Sequence, residues 1–192
     1  SEKTKAIFVV DLMGGTPKFE KILELAKKYN LKIIEDCAQA MGATYKGKFA
    51  GTIGDIGVFS FNIHKVVQCG EGGMLITNSD RYALRAQLVR NHGEAVVDDM
   101  ISEGSDFEAL VGSNYRMSEL HAAVALEQFK KLDALNAERI LLADHLTERL
   151  KEIDWLISSP ALENSKHVYY LYPFRIKTEK IGITRKTFVE AM

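Results

Sequence analysis

Ser60-Phe61-Asn62-Ile63-His64-Lys65, followed by Gly70-Glu71-Gly72-Gly73, is the stretch on which the reading of this chain turns. It grows out of Ile56-Gly57-Val58-Phe59, and the apolar run from Ile56 to Phe61 reads as a buried strand. A serine hydroxyl therefore falls at the end of a strand, with a lysine in the loop that leaves it. Upstream, Lys32-Ile33-Ile34 is a second β-branched run, and it ends in Glu35-Asp36-Cys37-Ala38-Gln39. In an open α/β sheet the crevice beyond the C-terminal strand ends is where ligands bind. Both segments are expected at that edge.

The rest of the chain supplies the sheet. Ala6-Ile7-Phe8-Val9-Val10 is a continuous apolar run, as expected of a strand covered on both faces. Gly14-Gly15 is a turn, Thr16 is placed to cap the next helix, and Pro17 suits its first position. Phe19, Ile22, Leu23 and Ala26 recur at helical spacing up to a stop at Asn30. Strand–helix–strand implies parallel pairing. The glycine-rich segment 42–57 reads as a compact loop. Met74-Leu75-Ile76-Thr77 follows too soon for a helical crossover, so this fourth strand is expected antiparallel to the third.

Asn78-Ser79-Asp80 caps a helix running to about Arg90. Residues 94–109 are polar without clear period and read as a mobile loop. Ser118 to about Leu132 is an alanine-rich helix, and Leu135, Leu142, Leu146, Leu150 and Ile153 mark a long one after it. Tyr169 to Ile176 reads as a strand, and Thr184 caps a final helix. The expected division is 1–132 as the main α/β unit, 133–158 as a long connecting helix, and 159–192 as the start of a small α+β domain. The chain opens at Ser1 almost directly into a strand and closes at Met192 inside a predicted helix, so a piece of a longer protein is expected.

Composition narrows the function classes. Hydrophobic residues make up 46% of 192, enough for a sizeable core. The formal net charge of −1 lacks the basic excess of a nucleic-acid binder. No apolar run reaches membrane-spanning length, and no signal peptide opens the chain. Cys37 and Cys69 form neither a paired metal motif nor a disulfide framework, and a reducing cytoplasm is expected. No metal site is expected. Nucleotide-binding glycine fingerprints are absent.

Taken singly, the polar residues are ordinary. Lys65 is a loop lysine, Asp36 a helix cap or loop hydrogen-bonder, and Ser60 a strand-end hydroxyl. Together at one sheet edge they match a specific chemistry. A lysine that can form a Schiff base and a carboxylate that can hold a pyridinium nitrogen are what pyridoxal phosphate requires. Asp36 beside a ring nitrogen would favour its protonated form. Gln39 lies within reach of the phenolic oxygen, Ser60 can donate to the phosphate, and the glycines near Lys65 allow close backbone approach.

The run Glu35 to Ala43, then Tyr45-Lys46-Gly47-Lys48, Gly51-Thr52-Ile53-Gly54-Asp55, Ser60-Phe61-x-x-x-Lys65 and Gly70-Glu71-Gly72-Gly73 resembles the DegT/DnrJ/StrS sugar aminotransferases. So do Arg90-Asn91-His92-Gly93 and Gly112 to Glu119, in the same order and with similar spacing. The resemblance implies the large domain of a fold-type-I aminotransferase. Its mostly parallel sheet would carry helices on both faces, incomplete at the N-terminus, with the start of a small C-terminal domain. It implies Lys65 as the Schiff-base lysine and proton shuttle, Asp36 at the pyridine nitrogen, Gln39 at the phenolic oxygen and Ser60 at the phosphate. It further implies a homodimer in which Asn114 reaches the neighbouring subunit's phosphate. His92, Tyr115 and Arg116 are read equally as sugar-pocket or packing residues, and His64 as an outer neighbour of the lysine.

The implied reaction moves an amino group, with glutamate as the usual donor, to a keto-sugar that is often nucleotide-linked. Two alternatives stand beside it. A sister branch of sugar dehydratases carries histidine in place of the lysine, which this chain keeps. A family member can also retain the fold as a non-catalytic regulator or scaffold.

Overall fold

The computed structural model describes residues 1–93, 110–158 and 161–192. The loop expected at 94–109 lies outside the described residues.

The chain enters strand β1 (Ala6–Val10), makes a 3-10 turn at Leu12–Gly14, and forms helix α1 (Phe19–Tyr29). Strand β2 (Lys32–Asp36) pairs parallel with β1, Val10 opposite Asp36. α1 buries Phe19 and Ala26 against Val9, Ile33 and Tyr45. Asn30 ends it in the left-handed region, as its position predicts. The expected cap at Thr16 does not form. α1 starts after Lys18, without a side-chain cap, and Thr16 is buried instead. β1 also differs from expectation. Val9 is buried, whereas Phe8 is 61% and Val10 47% exposed, so only one face of the strand is covered among the described residues.

Within the glycine-rich segment the structure has a hairpin, β3 (Thr44–Tyr45) and β4 (Lys48–Phe49), where the sequence reads as loop. Lys46 and Gly47 turn it with φ of 48° and 78°, the double positive φ that matches strand twist. Strand β5 (Ile56–Ser60) then pairs parallel with β2, Asp36 opposite Val58. Strand β6 (Gly73–Ile76) returns antiparallel, Ser60 opposite Gly73, as the short connection requires. The sheet order is β1-β2-β5-β6. The C-terminal ends of β2 and β5 thus open on one edge.

Helix α2 (Asp80–Arg90) is capped by Ser79. Helices α3 (Glu119–Phe129) and α4 (Leu132–Leu150) follow. Ala125 and Leu132 from them pack on Phe61, Val66, Val67 and Cys69 of the lysine loop. The connecting helix is shorter than the expected 133–158. It ends at Leu150 because Leu156–Ser158 forms strand β7, whose ladder partner is β9 (Phe174–Ile176). Between these, strand β8 (Ser165–Lys166) adds to β3. Only Phe174–Ile176 of the strand expected over 169–176 forms. The preceding residues turn away at Tyr169, φ 47°, and bond to the first turn of the chain. Val168 is fully buried among Cys37, Ala40, Ala43 and Ala50, so this stretch belongs to the main core. Helices α5 (Thr178–Ile181) and α6 (Arg185–Ala191) close the chain, the latter capped by Thr184.

Two buried carboxyls hold the site edge. Side chains alternate along β2, so Ile33 and Glu35 share a buried face and Asp36 takes the other. Glu35 accepts backbone N–H bonds from Gly51 (2.9 Å), Ile53 (2.8 Å) and Gly54 (2.5 Å). The glycines allow the approach, since a Cβ on Gly57 would lie 2.3 Å from the Gly51 carbonyl oxygen. Asp11, just past β1, donates its N–H to the Asp36 carbonyl at 2.9 Å and accepts from Cys37 Sγ at 3.1 Å. Burial raises its carboxyl from 3.8 to about 7. The Cys37 hydrogen bond opposes the rise, and the charges of Glu35 and Asp36 add to it.

Glu35→Gln removes the charge and leaves one acceptor oxygen for three N–H groups. It should cost about 2–4 kcal/mol of unfolding free energy, read by denaturant titration. For Asp11 the sign follows from a raised folded-state value. Its contribution is fully present below 3.8 and is lost as pH rises to about 7. Asp11→Asn should therefore gain on the wild type by about 1.4 kcal/mol per pH unit across that interval. Parallel stability–pH curves would contradict this.

Candidate active site

The open edge holds a crevice lined by Ala38, Gln39, Met41, Ser60, Lys65, Val66, Val67 and Tyr170. Three of the five residues singled out in the sequence, Gln39, Ser60 and Lys65, thus converge there. Asp36 ends β2 two residues before Ala38 and is half-buried. Its Oδ1 accepts the Ala38 N–H at 3.0 Å, which fixes the carboxylate beside the strand end.

Hydrogen bonding determines what each group can still offer. Gln39 Oε1 accepts the Met13 N–H at 2.7 Å, so its amide NH2 is left as the outward donor. Ser60 Oγ accepts the Asn62 N–H at 3.3 Å, which leaves the hydroxyl proton to donate. Lys65 Nζ joins no ion pair among the described residues. The site therefore presents one carboxylate, two neutral donors and one amine. That set fits a group with a basic ring nitrogen, an anionic oxygen, a phosphate and an aldehyde.

The loop between Ser60 and Lys65 is ordered by Asn62, which the sequence reading left without a role. Asn62 Oδ1 accepts the His64 N–H at 3.1 Å, and its Nδ2 donates to Glu71 Oε1 at 2.7 Å. Its carbonyl accepts the Lys65 N–H at 2.8 Å. Phe61 and Cys69 close the loop, Phe61 N–H to the Gly72 carbonyl and Cys69 N–H to the Phe61 carbonyl. Glu71 is thus a tie for the lysine loop. The only sequence signal was its place in the glycine cluster.

Tyr170 was also missed, because it falls where a strand of a second domain was expected. It comes from the far end of the chain, and its ring lies beneath Lys65 Nζ, 4.8 Å from the centroid. Met13 lies just before the turn expected at Gly14-Gly15 and was given no role. It takes φ 60°, a left-handed conformation uncommon for its side chain, and so aims its N–H at Gln39.

Asn114 is not among the residues lining the crevice. It is exposed and forms an isolated antiparallel bridge with Asn91. Tyr115 N–H donates to the Arg90 carbonyl at 2.9 Å, His92 N–H to the Ser113 carbonyl at 3.2 Å, and the Arg116 guanidinium to Asn91 Oδ1. His92, Tyr115 and Arg116, read in the sequence equally as sugar-pocket or packing residues, thus bond among the Arg90–His92 and Ser113–Arg116 segments and are not among the residues lining the crevice. His64 is exposed beside the lysine.

Among the described residues one set could offer three metal ligands, Asp11, Glu35 and Cys37, with ligand atoms within 4.8 Å of one another. Both Glu35 oxygens already accept backbone N–H groups. Burial, then the Asp11 charge and hydrogen bond, push the Cys37 thiol well above its usual value, so it stays a protonated donor. The set is a hydrogen-bonded core cluster.

Comparison with known proteins gives one consistent answer. The chain is 37% identical over 187 residues to an L-glutamine:scyllo-inosose aminotransferase of Streptomyces griseus, covering 95% of this chain and 44% of that protein. It is 35% identical to a GDP-perosamine synthase of Caulobacter vibrioides, covering 98% of this chain and 49% of the relative. Among solved structures it superimposes on an aminotransferase from Psychrobacter cryohalolentis with a TM-score of 0.88 and 30% identity, over 99% of this chain and 52% of the other. It also resembles the E. coli GDP-4-keto-6-deoxy-D-mannose-3-dehydratase with bound hydrated PLP, TM-score 0.85 and 28% identity, over 99% of this chain and 51% of that one. The chain spans about half the length of the curated relatives it matches. The family match extends over residues 1–192, and the chain belongs to the DegT/DnrJ/EryC1/StrS aminotransferase family.

Proposed function

We propose that the protein transfers an amino group to a keto-sugar, with Lys65 as the residue that carries the cofactor and moves the proton. The observation that carries this reading is the convergence of Gln39, Ser60 and Lys65 on one crevice, with the Gln39 NH2 and the Ser60 hydroxyl left to donate and Lys65 Nζ in no ion pair among the described residues. The family's aminotransferases depend on pyridoxal phosphate, and a structural neighbour holds it. When bound, that cofactor supplies an electron sink for the carbanion left when a substrate carbon loses its proton.

The chain's own residues then divide the work. The Lys65 amine would hold the cofactor and, when free, would move the proton at the substrate carbon. Asp36 would keep the proton on the ring nitrogen, because its negative charge favours the cationic form. The Gln39 NH2 would donate to the phenolic oxygen, and the Ser60 hydroxyl to the phosphate.

The amino donor is proposed to be glutamate, and the acceptor a keto-sugar, often nucleotide-linked. A relative named for GDP-perosamine supports the sugar class, and one named for L-glutamine makes glutamine the donor to compare. The neighbouring dehydratase supports a second reading, loss of a sugar hydroxyl from the same substrate class. A lysine at the proton-moving position favours transfer. We further propose a homodimer in which exposed Asn114 reaches the partner's phosphate. The free thiols of Cys37 and Cys69 suit a cytoplasmic enzyme, and no helix of the described residues is long and apolar enough to cross a membrane.

Borohydride reduction of the complete, cofactor-loaded protein, followed by peptide mapping, should place the label on Lys65. Lys65→Ala should lose the label and lower turnover about 100-fold or more in a screen of keto-sugars with glutamate and glutamine. A label on another lysine would overturn the assignment. Sugar deoxygenation without amino transfer would favour the dehydratase.

A further inference from the structure

Lys65 has a neighbour that the proposed chemistry leaves unused. Its Nζ lies 4.8 Å from the centroid of Tyr170, inside the roughly 6 Å over which a ring face attracts a cation. Lys65 and Tyr170 are both half-buried in the crevice lining. With no ion-pair partner among the described residues, the lysine's charge meets the ring face.

Backbone bonds hold the ring there. On either side of Tyr170, Val168 N–H donates to the Gly14 carbonyl at 2.8 Å and Leu171 N–H to the Met13 carbonyl at 3.2 Å. Gly14 permits this closure. With φ of 99°, a Cβ at that position would lie 2.6 Å from Tyr170 N and 2.8 Å from Tyr169 N. The Met13 N–H in turn fixes Gln39 Oε1 at 2.7 Å. One three-residue turn, Leu12–Gly14, therefore sets both the Gln39 amide and the ring over Lys65.

We propose that Tyr170 is a positioning residue for Lys65: its ring seats the charged amine whenever the lysine is not bonded to the cofactor, and so holds it in the crevice between half-reactions. This rests on Lys65 being the cofactor lysine. It assigns Tyr170 a role through its face, so the hydroxyl is dispensable and the ring is not.

The test compares Tyr170→Phe, which keeps the ring, with Tyr170→Leu and Tyr170→Met, which remove it. All are first shown to be folded by thermal melting. In cofactor-free protein, trace acetic anhydride labelling at one fixed pH reports Lys65 reactivity relative to exposed Lys21. Removing the ring should speed Lys65 labelling about two- to fivefold, with Phe near the wild type. In the loaded enzyme the ring-free variants should lose about two- to fivefold in kcat with donor KM little changed. Wild-type labelling and kcat in folded Leu and Met variants would overturn the proposal. Borohydride fixation to Lys65 with unchanged labelling would sink this inference alone. Fixation to another lysine would sink both it and the proposed function.

Discussion

The site depends on one buried carboxylate. Glu35 lies fully inside the protein and accepts three backbone N–H groups from the Gly51–Gly54 loop. A buried charge is tolerable only when its lone pairs are satisfied, and those three bonds draw the loop onto the sheet edge. The same loop leads directly into β5, so the tie also fixes where Ser60 emerges beside the end of β2. Glu35 and Asp36 are adjacent in sequence and opposite in role because a strand sends successive side chains to opposite faces. One holds the backbone, and the other, outside that tie, is the carboxylate that the proposed function places at the ring nitrogen.

From that edge the order spreads through short, specific contacts. Asn62 binds Ser60, His64 and Glu71, which turns the five residues after β5 into a fixed arc ending at Lys65. Phe61, Val66 and Val67 pin the arc onto α3 and α4. On the other side, the Leu12–Gly14 turn links Gln39 to the stretch around Tyr170. The crevice is therefore built from three distant parts of the chain, which meet through backbone hydrogen bonds that side-chain identity does not advertise.

Hence the sequence reveals some parts better than others. The parallel β1–β2 pair, the antiparallel β6, the caps at Ser79 and Thr184 and the stop at Asn30 all follow from local pattern. That Gln39, Ser60 and Lys65 line one crevice was legible because their spacing after strand ends is local too. Tyr170 was not, since its place depends on a turn more than 150 residues earlier in a chain of 192. Thr16 looked like a cap and is instead buried, with α1 starting after Lys18. The β3–β4 hairpin was hidden by its glycines, although Lys46-Gly47 carries its turn signal. The bare face of β1 shows that an apolar run reports the potential for burial and not its completion among the described residues.

The division of labour between Glu35 and Asp36 is the central claim, and it reduces to turnover per bound cofactor in Asp36→Asn. The account predicts that the variant folds, still fixes the cofactor to Lys65 on borohydride reduction, and turns over at least about tenfold more slowly. That is the cost of about one pKa unit, 1.4 kcal/mol, at the ring nitrogen. Wild-type turnover per fixed cofactor would contradict it and remove Asp36 from the chemistry.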